Sequence, residues 1–293
     1  MNQANPNHLP SFSIILPVYN EEAAINETIE QLKHCLEGIE TEYEIIAVND
    51  GSEDESANIL RSRTDVKLLE HDCNRGYGAA LKTGILAAEF DWIVITDSDG
   101  TYPNERIPEL LRSASNCDML VGARTGEHVE YPLIRKLPKW FLKRFAEWMV
   151  RRPIPDINSG LRAFRKSVCH RFLSILPDGF SFTTTITIAM MSNNYRVIYV
   201  PIDYASRIGK SKIRPIRDTL QVTQVILRTG MYFAPLRVFL PISALFFVAF
   251  LFTFTGDIFL RQNLTERSLI LFGTSTQLAV FALLADMIDK RCG

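Results

Sequence analysis

The sequence is poor in the features that usually give a chemistry away. Its five cysteines, Cys35, Cys73, Cys117, Cys169 and Cys292, are odd in number and form no C-x-x-C pair. That argues against a disulfide framework and against a structural thiolate–zinc site, and fits reduced thiols. There is no excess of charge of either sign: 32 Lys and Arg face 33 Asp and Glu, for a net charge of −1. Nothing global therefore points to nucleic acid, and none is expected as a partner. Residues 1–10 are polar and hold no apolar signal-peptide core, so the bulk of the chain is expected in the cytoplasm. Internal repeats and low-complexity stretches are absent. Long apolar runs are also scarce in the first two-thirds, and nearly all of them lie after Arg237.

What the first two-thirds does contain is an alternation of short β-rich runs with helical stretches. Strands are expected at 12–19, 43–48, 66–69, 92–96 and 118–123, and helices at 21–37 and 78–89. Such alternation predicts an α/β fold with a mostly parallel sheet. In such sheets ligands bind beyond the carboxyl ends of the strands, and that is where the polar clusters of this sequence fall.

The remainder reads as membrane-associated. Between Pro132 and Arg152, apolar residues including Trp140, Phe145, Trp148 and Met149 recur at helical spacing, with seven Lys and Arg between them. An apolar, Trp-bearing face opposite a basic one suits a helix lying in a membrane interface; a helix packed on the sheet with a solvated basic face is the other reading. Residues 213–237 form a second mixed segment. Two uncharged runs follow, 238–255 and 269–285, each near the ~20 residues that span a bilayer. They predict a transmembrane hairpin over 238–293, following a catalytic domain over 1–212 and a juxtamembrane segment over 213–237. Arg228 and Arg237 before it, and Lys290 and Arg291 after it, place both ends of the hairpin on the cytoplasmic side.

Four clusters carry chemistry. Asp97-Ser98-Asp99 follows an apolar strand, where two hard carboxylates can converge on Mg²⁺ or Mn²⁺. An isolated D-x-D is equally an acidic turn; its place at a strand end, with Gly100 after it, favours the metal. Pro17-Val18-Tyr19-Asn20-Glu21 closes the first strand, with Asn20 placed to cap the next helix. Asn49-Asp50-Gly51-Ser52 closes the second, where Asp50 suits a base or ribose. Asn74-Arg75-Gly76-Tyr77-Gly78 precedes a helix, and its glycines would let a phosphate approach the helix N-terminus. The third glycine of G-x-G-x-x-G is replaced by Leu81, which excludes a dinucleotide fingerprint.

In this order and spacing the clusters resemble the family-two glycosyltransferases with the Rossmann-like A-type fold. Asp156-Ile157-Asn158-Ser159-Gly160-Leu161-Arg162 and Arg207-Ile208-Gly209-Lys210-Ser211-Lys212 are similar to segments of the branch that contains dolichyl-phosphate mannosyltransferases and polyprenyl-phosphate glycosyltransferases. The resemblance implies a nucleotide-sugar donor, a polyprenyl-phosphate acceptor and a metal on Asp97 and Asp99. It assigns Pro17, Tyr19, Glu21, Asp50 and Gly76 to the nucleotide, Arg207, Lys210 and Lys212 to the diphosphate, and Arg124 and Arg135 to the lipid phosphate. Asp156 is expected either to orient a substrate or to form a salt bridge with Arg162. Two departures stand out: Thr101 replaces a glutamine two residues after D-x-D, and Asp178–Thr185 is threonine-rich where relatives often carry an acid. A phosphate acceptor is already anionic and needs no general base, only cations that let two anions meet. The competing readings are an anchored enzyme with a hydroxyl acceptor, and a catalytically idle nucleotide-sugar-binding subunit.

Overall fold

The computed structural model describes residues 9–125, 143–203, 224, 227–232 and 234–292. Arg135, Arg207, Lys210 and Lys212 lie outside the described residues, as does most of the juxtamembrane segment.

Among the described residues, seven strands form one sheet in the order β3-β2-β1-β4-β6-β5-β7. They are β1 (Phe12–Val18), β2 (Tyr43–Asn49), β3 (Lys67–Glu70), β4 (Trp92–Ile95), β5 (Met119–Arg124), β6 (Arg162–Arg165) and β7 (Val197–Ile202). β1 is buried at all seven positions because helices cover both faces of the sheet. Its side chains alternate: Ile14, Leu16 and Val18 join the core on one face, packed against Ile25, Ile29 and Leu32 of α1 (Ile25–Leu36). Ile15 joins the other, with Ala80, Leu81 and Ile85 of α3 (Tyr77–Ala87). A short α2 (Ser56–Arg61) lies between β2 and β3, and α4 (Ile107–Arg112) between β4 and β5.

Every neighbouring pair is parallel except the two that involve β6, which runs antiparallel to β4 and to β5. Arg162, the first residue of β6, sits opposite Ile95 and Val121. The reversal therefore delivers the approach segment 156–161 to the same edge as the carboxyl ends of the parallel strands. Neither β6 nor β7 is among the strands expected above.

Residues 143–150 are helical (α5). Its Ala146, Met149 and Val150 are buried against Ile154 and against Ile188 and Met191, while Trp148 stays 46 % exposed. α6 (Lys166–His170) follows β6, and Ile188 and Met191 belong to α7 (Phe182–Ser192). The chain ends in an antiparallel hairpin of α8 (Pro235–Gly256) and α9 (Glu266–Cys292). Its apolar stretches, Pro235–Leu260 and Glu266–Ile288, are 26 and 23 residues long and largely uncovered by protein; at 1.5 Å per residue they reach about 39 and 35 Å. Between the two helices Ser243 Oγ donates to the Ser275 carbonyl at 2.8 Å and Ser275 Oγ returns the bond at 3.0 Å. At the far turn the buried Asp257 accepts from the N–H and hydroxyl of Thr265 and from Ser268 Oγ. The hairpin joins the domain through α5: Gly230 leaves room for the Met149 sulfur, and Arg237 donates to the Met149 carbonyl.

Candidate active site

The loops that leave β1 and β2 are laced together. The Asn20 and Glu21 N–H groups donate to Ser52 Oγ and Ser56 Oγ, and the Glu53 N–H returns to Asn20 Oδ1 at 2.8 Å. Asn20 therefore does not cap α1, whose N-cap is Ala24. It takes φ +54°, a left-handed conformation that asparagine tolerates, and binds the neighbouring loop. This lacing sets Pro17, Tyr19 and Glu21 beside the segment that carries Asp50.

Asp50 is 3 % exposed, and its carboxylate organises the next loop. Oδ1 accepts the Arg75 N–H at 2.9 Å and lies 2.6 Å from His71 Nδ1; Oδ2 accepts the Gly76 N–H at 2.8 Å. His71 Nε2 in turn lies 2.9 Å from Thr83 Oγ1 on α3. Gly76 has φ +106°, and a Cβ there would meet the Asp178 carbonyl at 2.5 Å. The Ala79 N–H donates to that same carbonyl. The close approach that Gly76 and Gly78 allow is thus made by the backbone of residues 177–179, and not by space left for a phosphate. Lys82 points the same way, paired with Asp178 at 2.8 Å.

Asp97 and Asp99 lie just beyond β4, on a turn fixed from two sides. Ser98 Oγ donates to the Pro17 carbonyl, and Thr28 Oγ1 of α1 donates to the Ser98 carbonyl. Asp99 is 8 % exposed, and its Oδ1 accepts both the N–H and the hydroxyl of Thr101, the latter at 2.6 Å. Thr101 therefore acts by orienting Asp99. Asp97 Oδ1 accepts the Tyr77 hydroxyl at 3.0 Å. Burial, and then the Asp97 charge, hold the Tyr77 phenol well above its ordinary pKa, so it keeps the proton it donates. Gly160 lies against Asp97 so closely that a Cβ would meet its carboxylate at 2.8 Å. The Gly160 N–H is held by the Tyr102 hydroxyl at 2.6 Å.

Two ionic features lie at the start of β6 and in the segment that leads into it. Asp156 pairs with Arg124, at the end of β5, through Nε at 2.7 Å and Nη2 at 3.0 Å, and also accepts the Arg124 N–H. Burial raises the Asp156 pKa, but the hydrogen bonds and charge of Arg124 outweigh it, and the net value lies below the ordinary one. The expected partner, Arg162, is elsewhere. It is fully buried and donates to the Ser159 and Thr183 carbonyls and to Thr187 Oγ1. The second half of the threonine-rich segment opens α7, and its Thr183 carbonyl serves this buried guanidinium together with Thr187 one turn on.

The structure thus gathers Pro17, Tyr19, Glu21, Asp50, Gly76, Asp97, Asp99, Arg124 and Asp156 at one edge of the sheet. His71, Tyr77, Tyr102 and Arg162 belong with them and carried no separate signal in the sequence, although Tyr77 and Arg162 stand inside clusters quoted above. Among the described residues, no three His, Cys, Asp or Glu converge as a complete metal cage. Two hard carboxylates two residues apart still fit a divalent cation whose other ligands come from a diphosphate and water.

Residues 13–173 match the family described as glycosyl transferase family 2, and residues 234–290 match the GtrB C-terminal hairpin. A dolichyl-phosphate hexose transferase of Haloferax volcanii is 28% identical over 74% of this chain and 92% of its own length. An undecaprenyl-phosphate mannosyltransferase of Micrococcus luteus is 27% identical over 68% of this chain and 86% of its own. A dolichol-phosphate mannosyltransferase of Pyrococcus furiosus is 32% identical over 69% of this chain and 59% of its own. Among solved structures, glucosyl-3-phosphoglycerate synthase of Mycobacterium tuberculosis in complex with UDP superimposes with a TM-score of 0.57 at 19% identity, over 75% of this chain and 80% of that one, which is a likeness of fold. A D-x-D turn at the end of β4, nucleotide-type loops after β1 and β2 and a matching signature across both meet in one place: the chain belongs to glycosyl transferase family 2.

Proposed function

We propose that the protein transfers a hexose from a GDP- or UDP-sugar to a polyprenyl phosphate at the cytoplasmic face of a membrane. The observation that carries this is the attachment of the carboxyl-edge site, through α5, to a hairpin long and apolar enough to span a bilayer. A polyprenyl chain stays in the hydrocarbon, and only its phosphate reaches a site held at headgroup depth. The relatives named for dolichyl- and undecaprenyl-phosphate transfer support the reading.

In this reading Pro17, Tyr19, Glu21 and Asp50 hold the nucleotide, and Gly76 acts through its N–H on Asp50. Asp97 and Asp99 would hold Mg²⁺ or Mn²⁺, which would supply charge neutralisation to the departing diphosphate. Tyr77, Gly160 and Thr101 keep the two acids in place. Arg207, Lys210 and Lys212 supply further cations to the diphosphate, and Arg135 joins Arg124 at the acceptor. The acceptor phosphate attacks directly and inverts the anomeric centre. The first turn of α7 carries threonines and no carboxylate, so nothing there serves as the base that a hydroxyl acceptor requires.

Arg124 is preorganised for an anion because Asp156 already occupies its fork. An arriving phosphate competes for the same N–H groups and takes over part of that role. Arg124→Lys keeps the charge and loses the bidentate geometry. It is expected to raise the acceptor KM about tenfold, equivalent to ~1.4 kcal/mol, with the donor KM unchanged. Steady-state kinetics with each substrate varied checks this, and an unchanged acceptor KM removes Arg124 from the acceptor site. Because the native pKa of Asp156 is lowered, the pair's contribution is full above the ordinary carboxylate value of about 4. It is lost only as pH falls through the lower native value.

The arginines and lysines that flank the hairpin support a topology with both of its ends on the cytoplasmic side. Protease added to inside-out vesicles should remove tags from both termini; protection of either tag overturns this topology. The activity itself is tested with labelled UDP- and GDP-sugars, Mn²⁺, and undecaprenyl or dolichyl phosphate. Labelled lipid is the expected product, and transfer to free sugars alone overturns the lipid-acceptor reading.

A further inference from the structure

Phe180 is 78 % exposed, more than any other large apolar side chain described between residues 9 and 203; Leu86 is next at 56 %. An open phenyl ring is unfavourable in water, and this one is held on a fastened loop. One face is stacked on Tyr77, with ring centroids 5.5 Å apart and planes 17° from parallel. The loop beneath it is fastened to α3 three times. The Asp178 carbonyl accepts the Ala79 N–H at 3.0 Å, the Asp178 carboxylate pairs with Lys82 at 2.8 Å, and Gly76 and Gly78 admit the loop backbone at close range. Tyr77, the other half of the stack, donates to Asp97 at 3.0 Å. An aromatic face is thus mounted one ring away from Asp97, an acid assigned to the metal that would sit on the donor diphosphate.

We propose that the open face of Phe180 is the platform on which the donor's hexose ring stacks. This rests on the function proposed above. The sugar is bonded to the distal phosphate of the donor, so a group placed beside Asp97 through Tyr77 stands next to the sugar. The base end of the nucleotide belongs with Asp50 and the loops laced after β1 and β2. A pyranose presents a face of axial C–H groups, weakly positive at hydrogen, that complements the negative face of an aromatic quadrupole. Such contact orients the anomeric carbon without competing for the hydrogen bonds that distinguish one hexose from another.

The test compares binding of UDP-glucose with UDP, and of GDP-mannose with GDP, to the full chain in nanodiscs with Mn²⁺, by calorimetry. Phe180→Ala is expected to weaken the bound nucleotide sugar about 3- to 10-fold and to leave its nucleoside diphosphate within about twofold. Phe180→Tyr should restore affinity, and Phe180→Leu, which keeps bulk without a π face, should not. In turnover the donor KM should rise while the acceptor KM stays put. Equal weakening of sugar-bearing and sugar-free nucleotides overturns the proposal in favour of a nucleotide contact. A rise confined to the acceptor KM overturns it in favour of the prenyl chain, and an unchanged Phe180→Ala overturns it outright. If none of the four nucleotides binds the unaltered protein, the functional reading itself falls and the platform with it.

Discussion

Asp99→Asn is expected to lower sugar transfer about a thousandfold, or ~4 kcal/mol of transition-state stabilisation, while the chain stays folded. The reason lies in what the substitution keeps. The Asp99 Oδ1 that accepts the Thr101 N–H and hydroxyl has a counterpart in asparagine, so the turn retains its two local bonds. The anchors from Ser98 to Pro17 and from Thr28 to Ser98 do not involve residue 99 at all. What disappears is one negative charge and the basic oxygen that a hard cation needs. Transfer of labelled sugar to lipid over a range of Mn²⁺ concentrations measures the effect, and circular dichroism checks the fold. Undiminished transfer with unchanged metal dependence would show that Asp99 holds no metal.

The second large effect concerns stability. Arg162→Ala is expected to cost about 3–5 kcal/mol, the sum of buried acceptors left unpaired at ~1–3 kcal/mol each and the cavity left by a large side chain. The guanidinium is fully buried and has no carboxylate partner within ion-pair distance among the described residues. Burial pulls its pKa below the ordinary guanidinium value, while the surrounding Tyr199, Tyr77 and Asp156 push it back up. Its donors instead satisfy the Ser159 carbonyl just before β6, and the Thr183 carbonyl and Thr187 hydroxyl in the first two turns of α7. Alanine leaves those acceptors dry and opens a cavity between the two elements. Thermal unfolding in detergent should show a fall of roughly 6 °C or more. A melting point within about 2 °C of the unaltered protein would mean that water repairs the gap and that Arg162 does not bind the two segments together.

The parts of the fold that were legible in the sequence are those whose pattern matches their burial. β1, β2 and β4 read as continuous apolar runs because both faces of a parallel sheet are covered. β6 was not legible: Arg162-Ala163-Phe164-Arg165 is four residues long and begins and ends on a charge, and its pairing with β4 and β5 is set by tertiary contact. α7 escaped for a different reason. Phe182-Thr183-Thr184-Thr185-Ile186-Thr187-Ile188 is β-branched almost throughout, which disfavours a helix locally. Burial of Phe182 and Ile186 against the sheet overrides that preference. In the site, Asp97 and Asp99 were readable because they are neighbours in the chain. The pairs Asp50–His71, Tyr77–Asp97 and Arg124–Asp156 join residues 20 or more positions apart, and no local pattern marks them. Thr101 looked like a missing metal ligand and proved to be the partner of Asp99.

The place where α5 meets the hairpin has a consequence for how substrate and enzyme find each other. Met149 is packed into the domain core through Ile188 and Met191, and its carbonyl is held by Arg237 at the root of α8. The union is made by side-chain packing and a hydrogen bond as well as by the chain itself, which holds the domain close to the root of the hairpin. In the proposed reaction the travelling partner is then the lipid, whose headgroup rises and whose first isoprene units bend to meet a donor held by the domain. Lengthening the connection at this joint would trade a fixed working distance for a search, and catalysis would slow even with every side chain of the site in place.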